Sequence, residues 1–229
     1  MVKEYPKVSV VFLAGGNGSR MGYPIPKQYL YIHEKPIALY SFHVLVSLPE
    51  VQECVVVCAE EYEPLFYDNA HSFRDRLRFA RAGHRRQDSV WNGIECIKHQ
   101  GLICIHDAAR PLIDAALVRR VIARASICGA AAAGVKARST FKLCDEHSVV
   151  VNTPNRELLW EIQTPQVIEL SLLKAGFRYA QANHLAVTDD LSLVELLGKP
   201  VEIVEGSFTN IKVTTPEDLI CVEQFIKRL

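Results

Sequence analysis

The chain has 229 residues, 49% of them hydrophobic and 23% charged, and its 26 Lys plus Arg balance its 26 Asp plus Glu. A packed globular core follows, and zero net charge argues against a general nucleic-acid or acidic-membrane binder. The polar start MVKEYPK and the short apolar run after it show no signal-peptide or membrane-span pattern, so a soluble cytoplasmic protein is expected.

The first element is the run Val8, Val10, Val11, Phe12, Leu13, which reads as a strand buried on both faces. A loop with Gly15, Gly16 and Gly18 follows, and then two cations, Arg20 and Lys27. Glycines let backbone N–H groups approach an anion closely, so this is a candidate phosphate cradle at a strand end. It is not a P-loop, because no Gly-Lys-Ser/Thr occurs. It also misses the dinucleotide fingerprint, since the third glycine of Gly16-Asn17-Gly18-Ser19-Arg20-Met21-Gly22 comes one place late.

Pro36 can open a helix, with Ile37, Tyr40, Val44 and Leu45 at helical spacing and Pro49 ending it. Strand patterns follow at Cys54–Ala59, at Leu77–Ala82 with edge-like alternation, and at Leu102–His106. Between them lie a short helix over Glu61–Asn69 and a helix capped by Gln87 or Asp88 running to about His99. Leu112–Cys128 reads as a helix and Ala130–Val135 as a strand of small residues. The alternation predicts an α/β fold with a mostly parallel sheet flanked by helices. Ligands in such sheets bind beyond the carboxyl ends of the strands, which is where the loops after Leu13, Ala82 and His106 fall.

The rhythm breaks at Lys136–Thr153, where Thr140–Cys144 and Ser148–Val151 flank Asp145-Glu146-His147. This predicts a β-hairpin arm over 137–153. Two strands alone are marginal in water, so the arm should pack on something else, such as a second subunit. Helices are then predicted over Ser171–Asn183 and Leu191–Leu197, and strands over Val201–Val204 and Asn210–Val213. Thr215 caps a last helix with Pro216 at its first position. No linker or repeat interrupts the chain, so one domain over 1–229 is expected.

Seven cysteines without Cys-x-x-Cys read as buried reduced thiols, and Cys104 with His106 lacks the second ligand pair a zinc site needs. The stretch AGHRRQDSVWNG offers Gly83 for close approach and Ser89 as a hydroxyl at a helix start. In HDAARP, Asp107 at a strand end suits magnesium, and Arg110 suits a phosphate or Asp107 itself. Taken alone, that Asp–Arg pair could equally cap the next helix. Either aspartate of Thr188-Asp189-Asp190 reads by default as a cap, while Thr188 can touch a phosphate or hydroxyl. Lys212 stands before the last capped helix.

LAGGNGSRM, PKQYL, GHRRQDSVWNG, HDAARP, NRELLWEIQTPQ, VTDDLSLVE and NIKVTTPEDL, in this order, resemble the 2-C-methyl-D-erythritol 4-phosphate cytidylyltransferase family almost from end to end. The resemblance implies a Rossmann-like nucleotidyltransferase fold, CTP and a small alditol phosphate as substrates, Mg²⁺ or another divalent cation, and a homodimer through the arm. It implies that Ala14, Gly15, Gly16 and Gly18 wrap the triphosphate. Arg20 and Lys27 would stabilise charge at the α-phosphate, and Gly83 and Ser89 would contact cytosine or ribose. Asp107 would hold the metal with Ala108 and Arg110 beside it. Thr140, Arg156, Thr164, Thr188 and Lys212 would hold the alditol phosphate, some of them across the dimer. The family often has two alanines before the loop glycine, and here the second is Gly15; Ser139 and Asn155 stand where acidic residues are frequent. The Gly-Gly loop also occurs in ribitol 5-phosphate cytidylyltransferases, while NRELLWEIQTPQ and the alanine pair of HDAARP lean toward methylerythritol. A regulatory nucleotide-binding module and a nicotinamide oxidoreductase are the rivals from other classes.

Overall fold

The structure is a computed structural model and describes residues 5–16, 22 and 24–227. In chain order, strand β1 (Val8–Leu13) is followed by the ribbon β2 (Tyr31–Ile32) and β3 (Lys35–Pro36), helix α1 (Ile37–Ser47), β4 (Val51–Val57) and α2 (Glu63–Asn69). Then come β5 (Leu77–Ala80), α3 (Arg86–Glu95), β6 (Leu102–Asp107), α4 (Ala115–Cys128) and β7 (Ala130–Lys136). The arm carries β8 (Leu143–Cys144) and β9 (Val150–Asn152), and β10 (Trp160–Glu169), α5 (Leu170–Ala182) and α6 (Leu191–Glu195) follow it. β11 (Glu202–Glu205) and α7 (Pro216–Ile226) end the described chain.

Seven strands make one sheet in the order β11-β7-β10-β6-β1-β4-β5. β10 runs antiparallel to both neighbours, and the other pairings are parallel. The sheet is covered on both faces, which is why β1 is a nearly continuous apolar run. Val10 and Phe12 face α1, α2 and α4, where Phe12 meets Phe42 and Phe66 edge-on at 5.8 and 5.9 Å. Val11 faces the other way, onto α3, with Val90 and Ile94. Among the described residues no helix is long and apolar enough to cross a membrane.

Several boundaries differ from the sequence reading for identifiable reasons. The helix after β5 is capped by neither Gln87 nor Asp88. Arg85 is the cap residue, and Asp88 at the third helical position reaches back to the Arg85 amide at 3.0 Å. α4 begins at Ala115, not Leu112, because the Asp114 carboxylate accepts the Leu117 amide at 2.7 Å. The Asp107–Arg110 pair therefore caps nothing. Residues 210–213 form no strand; the Val213 amide bonds to the Ala109 carbonyl instead. The arm strands are shorter than the apolar runs that suggested them. β10 was not anticipated at all: its buried Gln163, Thr164 and Gln166 hide it from hydropathy. Thr215 and Pro216 start α7 as expected, with Asp218 closing the reciprocal cap.

α3 lies very close to the sheet, and Gly93 allows it. A Cβ there would sit 2.6 Å from Val11 Cγ1 and 3.1 Å from Val57 Cγ2. Gly93→Ala should lower unfolding stability by about 1–3 kcal/mol, as overpacking does. Denaturant unfolding checks this, and an unchanged midpoint would contradict the close packing.

Candidate active site

Beyond the carboxyl ends of β1, β5 and β6 lies a cleft of about 500 Å³. Its lining includes Gly15, Gly16, Lys27, Gly83, Ser89, Asp107 and Lys212, seven of the residues singled out from the sequence. Gly18 and Arg20 lie outside the described residues.

The loop after β1 is held from behind by PKQYL. Gln28 Nε2 donates to the carbonyls of Ala14 and Gly16 at 2.7 and 2.9 Å. The Tyr29 hydroxyl donates to Ala14 O at 2.8 Å, and its ring stacks on Tyr62 with centroids 3.5 Å apart. Burial pushes the Tyr29 pKa up, so its hydroxyl remains a donor. One short motif thus supplies a cleft cation, Lys27, and two clamps on the glycine loop. Sequence reasoning found the cation and missed the clamps.

Beside it, the Gly83 amide donates to Ser89 Oγ at 2.9 Å, tying the loop after β5 to the first turn of α3. A Cβ on Gly83 would lie 2.4 Å from Asp88 Cβ, so glycine is required for this closure.

Asp107 is the centre of the charge. Lys212 Nζ is 2.6 Å from Oδ2, and Arg86 Nε is 3.1 Å from Oδ1. Burial pushes the Asp107 pKa up, but Arg86 and Lys212 outweigh it and hold the carboxyl well below the usual range. Arg86 also takes both oxygens of Asp190, Nη1 on Oδ1 at 2.9 Å and Nη2 on Oδ2 at 2.8 Å. Burial drives Asp190 upward against that pairing. Asp190 is therefore an ion-pair partner, while Asp189 accepts the Ser192 amide at the start of α6. Neither Arg86 nor Asp190 was read as functional: the one resembled a solvated helix-start arginine, the other a cap.

Thr164 lies behind Asp107. His106 Nε2 meets the carbonyl of Arg110 at 3.0 Å and so carries a hydrogen. Burial pushes the His106 pKa down to about 4, leaving Nδ1 a bare acceptor at neutral pH. Thr164 Oγ1, 3.0 Å from Nδ1, donates to it and accepts the Asp107 amide at 3.1 Å. Its one hydrogen is committed, so within this chain Thr164 holds Asp107 and has no donor for a phosphate. Arg110 also serves the fold around the site. It is buried, with Nη1 on Asn210 O at 2.7 Å and Nη2 on Ile162 O at 3.4 Å. With Val213 N on Ala109 O at 2.8 Å, it fixes the 210–214 segment and thereby places Lys212. Ala14 and Ala108 are buried at the rim, and Thr140, Arg156 and Thr188 are exposed away from the cleft lining.

The family model described as IspD, 2-C-methyl-D-erythritol 4-phosphate cytidylyltransferase, matches residues 8–228. The chain belongs to this family. A chloroplastic cytidylyltransferase of that description from Oryza sativa is 47% identical over 226 residues, covering 98% of this chain and 76% of its own. One from Desulforamulus reducens is 38% identical, covering 96% of each. Among solved structures, 4-diphosphocytidyl-2C-methyl-D-erythritol synthase from Anaerococcus prevotii superposes with a TM-score of 0.86 at 26% identity, covering 97% of both chains. The Thermus thermophilus cytidylyltransferase gives 0.79 at 29% identity, covering 97% of this chain and all of that one.

The glycine pair that departs from the usual cytidylyltransferase loop has a packing cause. A Cβ on Gly15 would stand 2.3 Å from the Cβ of Ala82. The loop after β5 has filled the space that an alanine at 15 would need, so Gly15 reports its neighbour rather than a different alditol. Gly15→Ala alone should displace the loop and weaken CTP binding by about tenfold or more, in the range of a small misplacement. Gly15→Ala with Ala82→Gly should restore binding. Calorimetric CTP titration of the three proteins checks this, and equal affinities would refute the match.

Proposed function

We propose that this chain transfers the cytidylyl group of CTP to the phosphate of 2-C-methyl-D-erythritol 4-phosphate, releasing pyrophosphate, in non-mevalonate isoprenoid precursor synthesis. The observation that carries the reading is the convergence of the glycine loop, Lys27, Gly83, Ser89, Asp107 and Lys212 on one cleft in a chain of this family. On this reading the glycine loop wraps the triphosphate, Gly83 and Ser89 contact the cytidine, and Lys27 and Lys212 offset charge at the α-phosphate, with Arg20 as the resemblance implies.

The nucleophile is a phosphate monoester oxygen, already anionic near neutral pH, so no catalytic base is needed. The obstacle is repulsion between anions. Two unit charges ~4 Å apart interact by about 1 kcal/mol in water and about 4 at an effective dielectric of 20. Catalysis is then positioning and electrostatic stabilisation by the cleft cations.

A divalent cation, Mg²⁺ for preference, belongs to the proposal. Among the described residues no group of three or more His, Cys, Asp or Glu could hold a metal. Asp107 nonetheless fits, because its carboxyl is held ionised at the cleft and Mg²⁺ commonly takes one carboxylate plus substrate phosphates. Bound there, the ion would neutralise triphosphate charge.

We further infer a homodimer through the 137–153 arm. Phe141, Leu143, Val149, Val150 and Val151 on it are half or more exposed, which is costly for a lone hairpin. Such a pair would let the partner subunit's Thr140 and Arg156 reach the alditol phosphate, with Thr188 and Arg110 supporting it. Free cysteines, among them the exposed Cys144 and Cys221, suit a reducing compartment such as the cytoplasm.

Pyrophosphate release with CTP and Mg²⁺ should occur with methylerythritol 4-phosphate and not with ribitol 5-phosphate. Release only with ribitol 5-phosphate would move the protein to the other alditol. CTP binding without release would make it a nucleotide-binding regulator. Lys27→Ala should cut turnover about 10²–10³-fold, by analogy with loss of one oxyanion donor. Arg156→Ala should weaken alditol phosphate binding more than CTP binding.

A further inference from the structure

Arg86 joins two parts of the molecule that the chain keeps far apart. It is the first residue of α3, three positions after Gly83 on the nucleotide side. Its Nε holds Asp107, and its two Nη atoms hold Asp190, which is two residues after Thr188 on the alditol side. The Asp190 side chain is only 2% exposed. Its amide is fixed separately by Gln166 Oε1 at 3.0 Å, so its backbone is anchored to β10 and its carboxylate to α3. The planar guanidinium is what permits this, since it presents donors in a fixed fork to two carboxylates at once. An ammonium is a point charge and cannot hold that pattern.

We propose that Arg86 is a positioning residue that couples the reaction centre to the alditol side of the site. It fixes Oδ1 of Asp107 and so leaves Oδ2 turned toward Lys212. Through Asp190 it sets where Thr188 stands. This rests on the reaction proposed above and adds a role that none of the nucleotide or alditol contacts supplies. The nucleotide side closes without it: Gly83 is held by Ser89, and the Arg85 side chain by Asp88. Loosening Arg86 should therefore disturb chemistry and alditol binding while leaving CTP recognition intact.

Arg86→Lys keeps the charge and loses the fork. It should lower kcat by about 10–100-fold and raise KM for the alditol phosphate several-fold, the range for a residue supporting an active-site ligand. KM for CTP, and CTP affinity measured calorimetrically without the alditol, should stay within about twofold, a split that general damage would not produce. The single variant can strand the buried Asp190 carboxylate and fail to fold. Arg86→Gln with Asp190→Asn removes both charges and should fold with the same kinetic split. A readout independent of turnover accompanies these, namely amide hydrogen exchange over residues 185–195, which should quicken in both variants. Wild-type kcat, alditol KM and exchange in either folded variant would overturn the proposal. So would a loss falling mainly on CTP, which would make Arg86 a direct phosphate ligand. Absence of pyrophosphate release from the wild type would sink the reaction proposed above, and the exchange measurement would still decide the coupling.

Discussion

A buried carboxylate at the end of β6 imposes the main constraint on this structure. Asp107 sits in a cleft suited to phosphates, where a lone buried carboxyl would take up a proton. Two cations from distant parts of the chain keep it charged, Arg86 from α3 and Lys212 from the segment before α7. Each cation then needs its own support. Arg86 acquires a second carboxylate, Asp190, and Lys212 is placed by the bonds of Arg110 and Val213. At ~4 Å and an effective dielectric near 20, each such pairing is worth about 4 kcal/mol before desolvation is subtracted. Desolvation takes back much of that, so the cluster fixes geometry more than it adds stability.

The rim that carries these groups is stitched beyond the sheet itself. The Ala108 amide reaches Leu13 O at 3.0 Å, the Ala14 amide reaches Val57 O at 2.9 Å, and the Cys58 amide reaches Ala80 O at 3.1 Å. The ends of β6, β1, β4 and β5 are therefore bonded to one another in turn. The glycine loop leaves from the middle of this edge and is gripped by Gln28 and Tyr29. Its backbone is shaped by the Gln28 and Tyr29 side chains, and Gly15 is dictated by Ala82 in the same way.

Much of this was legible in the sequence. Strands buried on both faces betray themselves as apolar runs, and their alternation with helices located the rim and the loops that carry Gly15, Gly16, Gly83, Ser89 and Asp107, while the roles of Lys27 and Lys212 came with the family resemblance. The signal failed where a residue's partner lies far along the chain. Arg86 and Asp190 are 104 positions apart, and neither has a local pattern that distinguishes an ion pair from a solvated arginine and a cap. β10 failed for a related reason. Its polar residues are buried because each has a specific partner: Gln163 bonds Ser207 O, Thr164 bonds His106, and Gln166 bonds the Asp190 amide. Hydropathy cannot register a polar residue that is satisfied from another element.

Hydrogen-bond donors also bear on how many chains a complete site needs. A phosphate dianion offers only acceptors and must be met by N–H and O–H groups. In this chain Thr164 gives its hydrogen to His106, and Arg110 gives one hydrogen from each Nη to Asn210 and Ile162. Thr140, Arg156 and Thr188 are exposed and not among the residues lining the cleft, whereas Arg85 and Arg86 are. Lys27 and Lys212 line it. The arm is the part of the chain that carries Thr140 away from its own core, with its apolar residues uncovered. Pairing of arms would cover these valines and carry Thr140 toward a second subunit.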